Sequence, residues 1–307
     1  MFVSLLIGLF LAGQFSCSPR ESQTSKPVAF KALRAVDHLT DPGQVAVWMR
    51  PFSQWPADSL QWLPNGIIHG QDTLLIIQQT AVDVIYLRRS PGLTGAFSLT
   101  AAPLVETPNS TQFIQQFRVQ GQPAWPSDKT WTTDATASLD SLVAYFSSPQ
   151  KMYGYPVREI LVTDTAFLFA SREIASADFT RESTALFDML LRQARALNVP
   201  YTGVRIFNID KEGPRRTIYA GIGIERRVDT APGDSASFKW MPYQKNLLAI
   251  DFEGPYAEID QLKEALERYR LDHQKSSMAI PFHKYLSDGY GFADSQVVKL
   301  RACLPVY

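Results

Sequence analysis

Side chains suited to chemistry are few in this sequence and widely spaced. Two cysteines, Cys17 and Cys303, cannot make a zinc cluster or a disulfide framework. Four histidines, His38, His69, His273 and His283, show no HExxH or HxH spacing, so no metal site is expected. There is no GxSxG elbow, Walker A loop or CxxC. Gly221-Ile222-Gly223 lies inside an alternating strand-like run, where a phosphate-cradling turn has no place. We therefore assign no catalytic residue and expect no cofactor. The most chemically suggestive pattern is in the last strand-like run, where alternation puts Lys299, Arg301 and Cys303 on one face. A buried guanidinium without a carboxylate partner is costly, so Arg301 must meet water, an internal acid or an anionic ligand. Thirty basic residues balance thirty acidic ones. No positive field gathers phosphates, and nucleic acid is not an expected partner.

A chain of 307 residues suggests two domains. Its first fifteen residues, MFVSLLIGLFLAGQF, form an apolar run too short to span a bilayer as a helix. Ser16, Cys17 and a polar tract, SPRESQTSKP, follow. This arrangement resembles a bacterial lipoprotein signal, which would make Cys17 the lipidated first residue of a cell-envelope protein anchored to the membrane. A plain cleaved signal and a buried first helix are the alternatives. Residues 1–25 are thus read as signal and tether.

Residues 26–150 read as one domain. The run 28–35 alternates as a half-buried strand. Asp41-Pro42-Gly43 opens a short helix, with Asp41 as N-cap. Strand-like runs follow at 73–78, 83–87, 96–101 and 112–119, with a closing helix near 138–147. This order, with the tryptophan-rich VWMRPFSQW, resembles the SRPBCC or polyketide-cyclase-like superfamily. The resemblance implies a curved antiparallel sheet around a long helix. It also implies a cavity, for which Trp62, Phe97, Phe113 and Trp131 are candidate lining; plain core packing is the other reading of such aromatics.

Residues 151–307 repeat a β-α-β-β pattern. Strands at 166–174, 202–210 and 217–225 surround a helix at 178–196; strands at 238–252, 281–286 and 296–304 surround a helix at 255–273. Phe252-Glu253-Gly254-Pro255-Tyr256, then Pro281 to Asp288, then Leu304-Pro305-Val306 resemble the GyrI-like, or AraC effector-binding, small-molecule-binding family. The Gly-Pro-Tyr itself is a structural turn. The whole chain is therefore expected to be α+β. In relatives that bind cationic drugs, acids stand where His283 and Arg301 stand here. That substitution implies a pocket for a small hydrophobic or aromatic ligand, neutral or anionic. Its candidate ligand-binding residues are Tyr219, Trp240, His283, Tyr285 and Arg301. The expected function is an exported small-molecule-binding protein. The alternatives are a GyrI-like hydrolase of small electrophiles and a module that binds or inhibits a partner protein.

Overall fold

The computed structural model describes residues 24–28, 30, 32–50, 52–91, 93–107, 110–118, 129–211, 215–230, 235–242, 244–277, 279–287 and 291–307. Cys17 lies outside them. The fold is α+β, with two large antiparallel sheets, and the chain divides into two compact units, Met1–Ser147 and Ser148–Tyr307. Among the described residues no helix is long and apolar enough to cross a membrane.

The first unit runs β1 (Thr24–Val28), α1 (Ala32–Thr40), α2 (Pro42–Trp48), β2 (Gln61–Leu63), β3 (Gly66–His69), β4 (Asp72–Gln79), β5 (Asp83–Ser90), β6 (Leu93–Pro103), β7 (Thr111–Arg118) and α3 (Lys129–Phe146). The sheet order is β1-β7-β6-β5-β4-β3-β2, so its first and last strands pair. The expected strand over 28–35 is corrected: β1 ends at Val28 and α1 begins at Ala32. Ala35, Val36 and Leu39 also satisfy a helical stripe, and all three are buried. Asp41 caps α2 as expected, its carboxylate accepting the Gly43 N–H at 2.8 Å. Alternation turns Val84 and Tyr86 of β5 and Leu99 and Ala101 of β6 inward. The Tyr86 hydroxyl donates to the Leu39 carbonyl at 2.5 Å, tying sheet to helix. Phe146 of α3 packs its ring 4.9 Å from both Phe30 and Phe113.

The second unit opens with α4 (Pro149–Tyr153), where Pro149 starts a helix under the Ser148 cap. Then come β8 (Arg158–Leu161), β9 (Ala166–Ala175), α5 (Phe179–Ala196), β10 (Tyr201–Asp210), β11 (Arg215–Ile224), β12 (Ser237–Trp240), β13 (Asn246–Pro255), α6 (Ile259–Asp272), β14 (Phe282–Tyr285) and β15 (Val297–Val306). The expected strand over 238–252 is two strands. Pro242 lacks an N–H, and Gln244 has a left-handed φ of 57°. The chain therefore turns between β12 and β13.

Sheet order in this unit is β12-β9-β11-β10-β14-β15-β13-β8. Read from either end, it is the same sequence of roles. Each half contributes β-α-β-β, and the short strand leading into each half pairs across onto the other. The registers make the pseudo-twofold exact to the residue: Ile206 faces Gly221 as Phe282 faces Cys303, and Tyr219 faces Ser171 as Arg301 faces Asp251. Helices α5 and α6 cover one sheet face, burying Leu186, Phe187, Leu190, Leu262 and Leu266. Each such side chain contributes about 1.5–3 kcal/mol when removed from water. The opposite face carries the cavities of this unit.

Gly254 has a role different from the expected turn. β13 continues through it, and a Cβ there would stand 2.6 Å from the Phe252 ring. Tyr256 follows in a single 3-10 turn and packs 5.7 Å from Phe292, at the helix-side core.

Candidate functional site

Two cavities open on the concave face of the second sheet. The larger holds about 370 Å³ and is walled by Phe169 and Tyr219, stacked at 6.4 Å, with Trp240, Ile280 and Phe282. Asn208 and Asn246 supply amide groups. Lys239 and Lys245 stand exposed at the rim, and among the described residues no Asp or Glu side chain lines it. The smaller holds about 230 Å³ and is charged: Asp164, Lys284, Arg301 and Cys303 line it.

Strand alternation decides which side chains reach this face. Phe282 and Lys284 of β14 line the cavities, so His283 and Tyr285 point the other way. His283 stacks on Phe207 at 5.0 Å and is 8% exposed. Tyr285 donates its hydroxyl to the Gly291 carbonyl at 2.8 Å, inside the aromatic cluster around Phe292. The expectation that these two wall the ligand pocket is corrected: both belong to the helix-side core. Tyr219 and Trp240 do line the larger cavity, and Arg301 lines the smaller.

Electrostatics follow from burial and partners. Arg301 donates Nε to Asp251 Oδ1 at 2.6 Å and a terminal nitrogen to Oδ2 at 3.2 Å. Arg158 pairs with the same carboxylate. The hydrogen bond from Arg301 holds the Asp251 carboxyl below its ordinary range despite partial burial. An internal acid is thus the partner Arg301 requires. Lys284 is paired with Asp164. Burial pushes the Cys303 thiol up to about 12, so it is no nucleophile at neutral pH. Burial pushes the His283 imidazole down to about 4; its ring bonds the Ile259 backbone, and Nδ1 is buried without a partner.

Of the residues proposed for a cavity in the first unit, Trp62 stands apart from Phe97 and Phe113. Phe97 stacks on Tyr86 at 4.9 Å and Phe113 packs on Phe146, both fully buried. Trp62 is 47% exposed on the edge strand β2. Trp131 lies in α3, and its side chain is outside the described residues. The wall residues Phe282 and Met241 were not anticipated. Their signal was present only as register: Phe282 lies directly opposite Cys303, on the face that alternation gives to Arg301. Among the described residues no group of three or more His, Cys, Asp or Glu side chains could hold a metal.

No family model matches the chain, and no curated protein sequence matches it. The chain has a low similarity to several solved structures. The EcmrR C-terminal domain is 12% identical, spans 50% of this chain and 98% of its own length, with a TM-score of 0.39. A conserved protein from Listeria innocua is 14% identical over 49% of this chain and 92% of its own, at 0.37. The di-domain ARO/CYC StfQ of the steffimycin biosynthetic pathway is 10% identical over 93% of this chain and 84% of its own, at 0.29. At this divergence none of them says what this chain binds.

Proposed function

We propose that the second unit is a small-molecule-binding domain and that its ligand is a small hydrophobic or aromatic molecule, neutral or anionic. The observation carrying this reading is the larger cavity. It is a concave, aromatic-walled space of about 370 Å³ with two amides, two rim lysines and, among the described residues, no lining Asp or Glu side chain. Such a lining fixes orientation by a few polar groups and supplies affinity by apolar contact. The described wall places lysines, and no Asp or Glu side chain, beside the ligand, which favours a neutral or anionic molecule over a cation. The same reading makes the second unit GyrI-like and the first SRPBCC-like, and it makes the protein a binder rather than a catalyst.

Calorimetric titration with naphthol and with naphthylmethylammonium tests it. Naphthol should bind, and the cation should bind at least about tenfold more weakly for want of a partner. Replacing Trp240 with Ala should weaken naphthol binding. Cation binding as tight as naphthol binding, and indifferent to Trp240→Ala, would refute the assignment. We further propose that the chain is exported and lipid-anchored through Cys17, on the strength of the apolar run before it and the polar tract after it. Stable anchoring needs more than one acyl chain, as bacterial lipoproteins carry. Intact mass and membrane fractionation of wild type against Cys17→Ala are the check. An unmodified, equally extractable wild type would sink the anchor.

A further inference from the structure

The two cavities are the two halves of one pseudo-symmetric groove. Six side chains line both: Val162, Phe167, Ile206, Met241, Leu247 and Phe282. The strand registers sort these six into three equivalent pairs. Phe167 corresponds to Leu247, Ile206 to Phe282, and Val162, just past β8, to Met241, just past β12. The shared partition therefore stands on the pseudo-twofold axis between β10 and β14. On either side of it, equivalent positions differ in kind. Tyr219, Asn208 and Phe169 on the larger side correspond to Arg301, Lys284 and Ala249 on the smaller. Duplication has produced one apolar chamber and one charged chamber that share a wall.

From this geometry we infer that the two chambers form a single bipartite site for an elongated amphiphile, its apolar body in the larger chamber and an anionic end in the smaller. The inference rests on the binding role proposed above for the larger chamber. Two observations support the sign of the polar end. Among the described charged side chains that line the smaller chamber, Lys284 and Arg301 outnumber Asp164 by one, a surplus that a monoanion matches. Lys284 and Arg301 are largely shielded, with side chains 22% and 28% exposed. Shielding strengthens their attraction for a charge above that of a surface lysine. The partition is also its own passage. Met241 and Phe282 are the half-buried members, and an unbranched thioether side chain changes rotamer readily. No covalent step is involved.

Three probes separate this inference from the reading beneath it: naphthol, naphthylhexanol and naphthylhexanoate, titrated by calorimetry into the full chain. Naphthol fits the larger chamber alone. The alcohol and the acid share a body and a reach, and differ only in charge at the far end. Naphthylhexanoate should bind at least about tenfold more tightly than naphthylhexanol, the effect of a hydrogen bond to a charged group. The double variant Lys284→Gln, Arg301→Gln should erase that advantage while leaving naphthol affinity and the circular dichroism spectrum unchanged. Equal affinity of acid and alcohol for the wild type would overturn the bipartite site even if the variant failed to fold. An advantage that survives in a folded double variant would overturn it too. In both cases naphthol binding would leave the larger chamber's role standing. If naphthol does not bind, that role falls, and the bipartite site falls with it.

Discussion

His283 makes the stability of the second unit depend on pH in a calculable way. Its imidazole is pushed down from 6.5 to about 4, chiefly by burial. Asp260 and the bond to the Ile259 backbone oppose the shift, and Lys263 and Lys211 add to it. The folded pKa lies below the unfolded one, so the unfolded chain takes up the proton first. Stability is present above about pH 6.5 and is lost as pH falls toward 4. A shift of two to three units corresponds to about 3 kcal/mol in all, with about 2 kcal/mol already lost at pH 5. The ring is almost fully buried, so solvent screening does not discount the figure. The informative variant is His283→Phe, because Phe207 fills the equivalent position of the other half. It removes the titrating group and the unpartnered Nδ1 together. Urea unfolding at about pH 7 and about pH 5 would be followed by pulse-labelling hydrogen exchange of β14 and β15 peptides. Carboxylates titrate alike in both proteins and cancel in the difference. The wild type should lose about 2 kcal/mol more than the variant between the two pH values. Equal losses in the two proteins would refute the argument.

Further consequences concern single atoms. Cys303 should resist alkylation in the native protein at neutral pH and react only on unfolding, because its buried thiol is held near 12; rapid labelling of the folded chain would contradict the packing around it. Gly66→Ala should cost about 1–3 kcal/mol in the first unit, since its Cβ would lie 2.3 Å from the Leu74 carbonyl oxygen. A thermal shift no larger than that of a surface Ala substitution would count against that contact. Asp41→Ala should cost about 1 kcal/mol by freeing the Gly43 N–H, while Asp41→Asn should retain most of the cap. Chemical denaturation of the three proteins gives the ranking.

The elements easiest to read were those whose apolar period admits one interpretation. α5 and α6 carry long helical stripes, and the flanks of β4 to β7 carry turn residues, so both were placed from spacing alone. The run after β1 was misread because Ala35, Val36 and Leu39 fit two periods, and only packing against the sheet chooses between them. β8 is four residues long, with two of them charged, and leaves no periodic trace. Its existence follows from duplication, since the other half has β12 in the same role. For the site, the decisive quantity was parity. In Phe282-His283-Lys284-Tyr285 both alternating sets mix an aromatic with a polar residue, so alternation cannot say which pair faces the helices. The answer comes from Phe292, seven residues after Tyr285, which gathers Phe207, Tyr256 and Tyr285 around itself.

Internal duplication also gives a comparison within one chain. On the helix side of the second sheet, four central pairs of equivalent positions keep their kind: Leu168 with Leu248, Ile218 with Leu300, Ala220 with Ala302, Ile222 with Leu304. All are buried, and any polar group there would need an internal partner. On the concave side such agreement holds for the shared partition and fails on either side of it. Tyr219 is set against Arg301, Asn208 against Lys284, and Ser171 against Asp251. Core packing constrains the first set equally in both halves. The second set is free to differ wherever the groove's occupant is not itself symmetric. His283, set against Phe207, breaks the helix-side pattern: a titratable ring stands where its counterpart is a hydrocarbon. That departure carries no ligand-facing group, and its consequence is the loss of stability below about pH 6.5 worked out above. The concave face thus carries the asymmetry that a ligand can read. On the helix side, the His283 asymmetry is the one that the folding equilibrium reads.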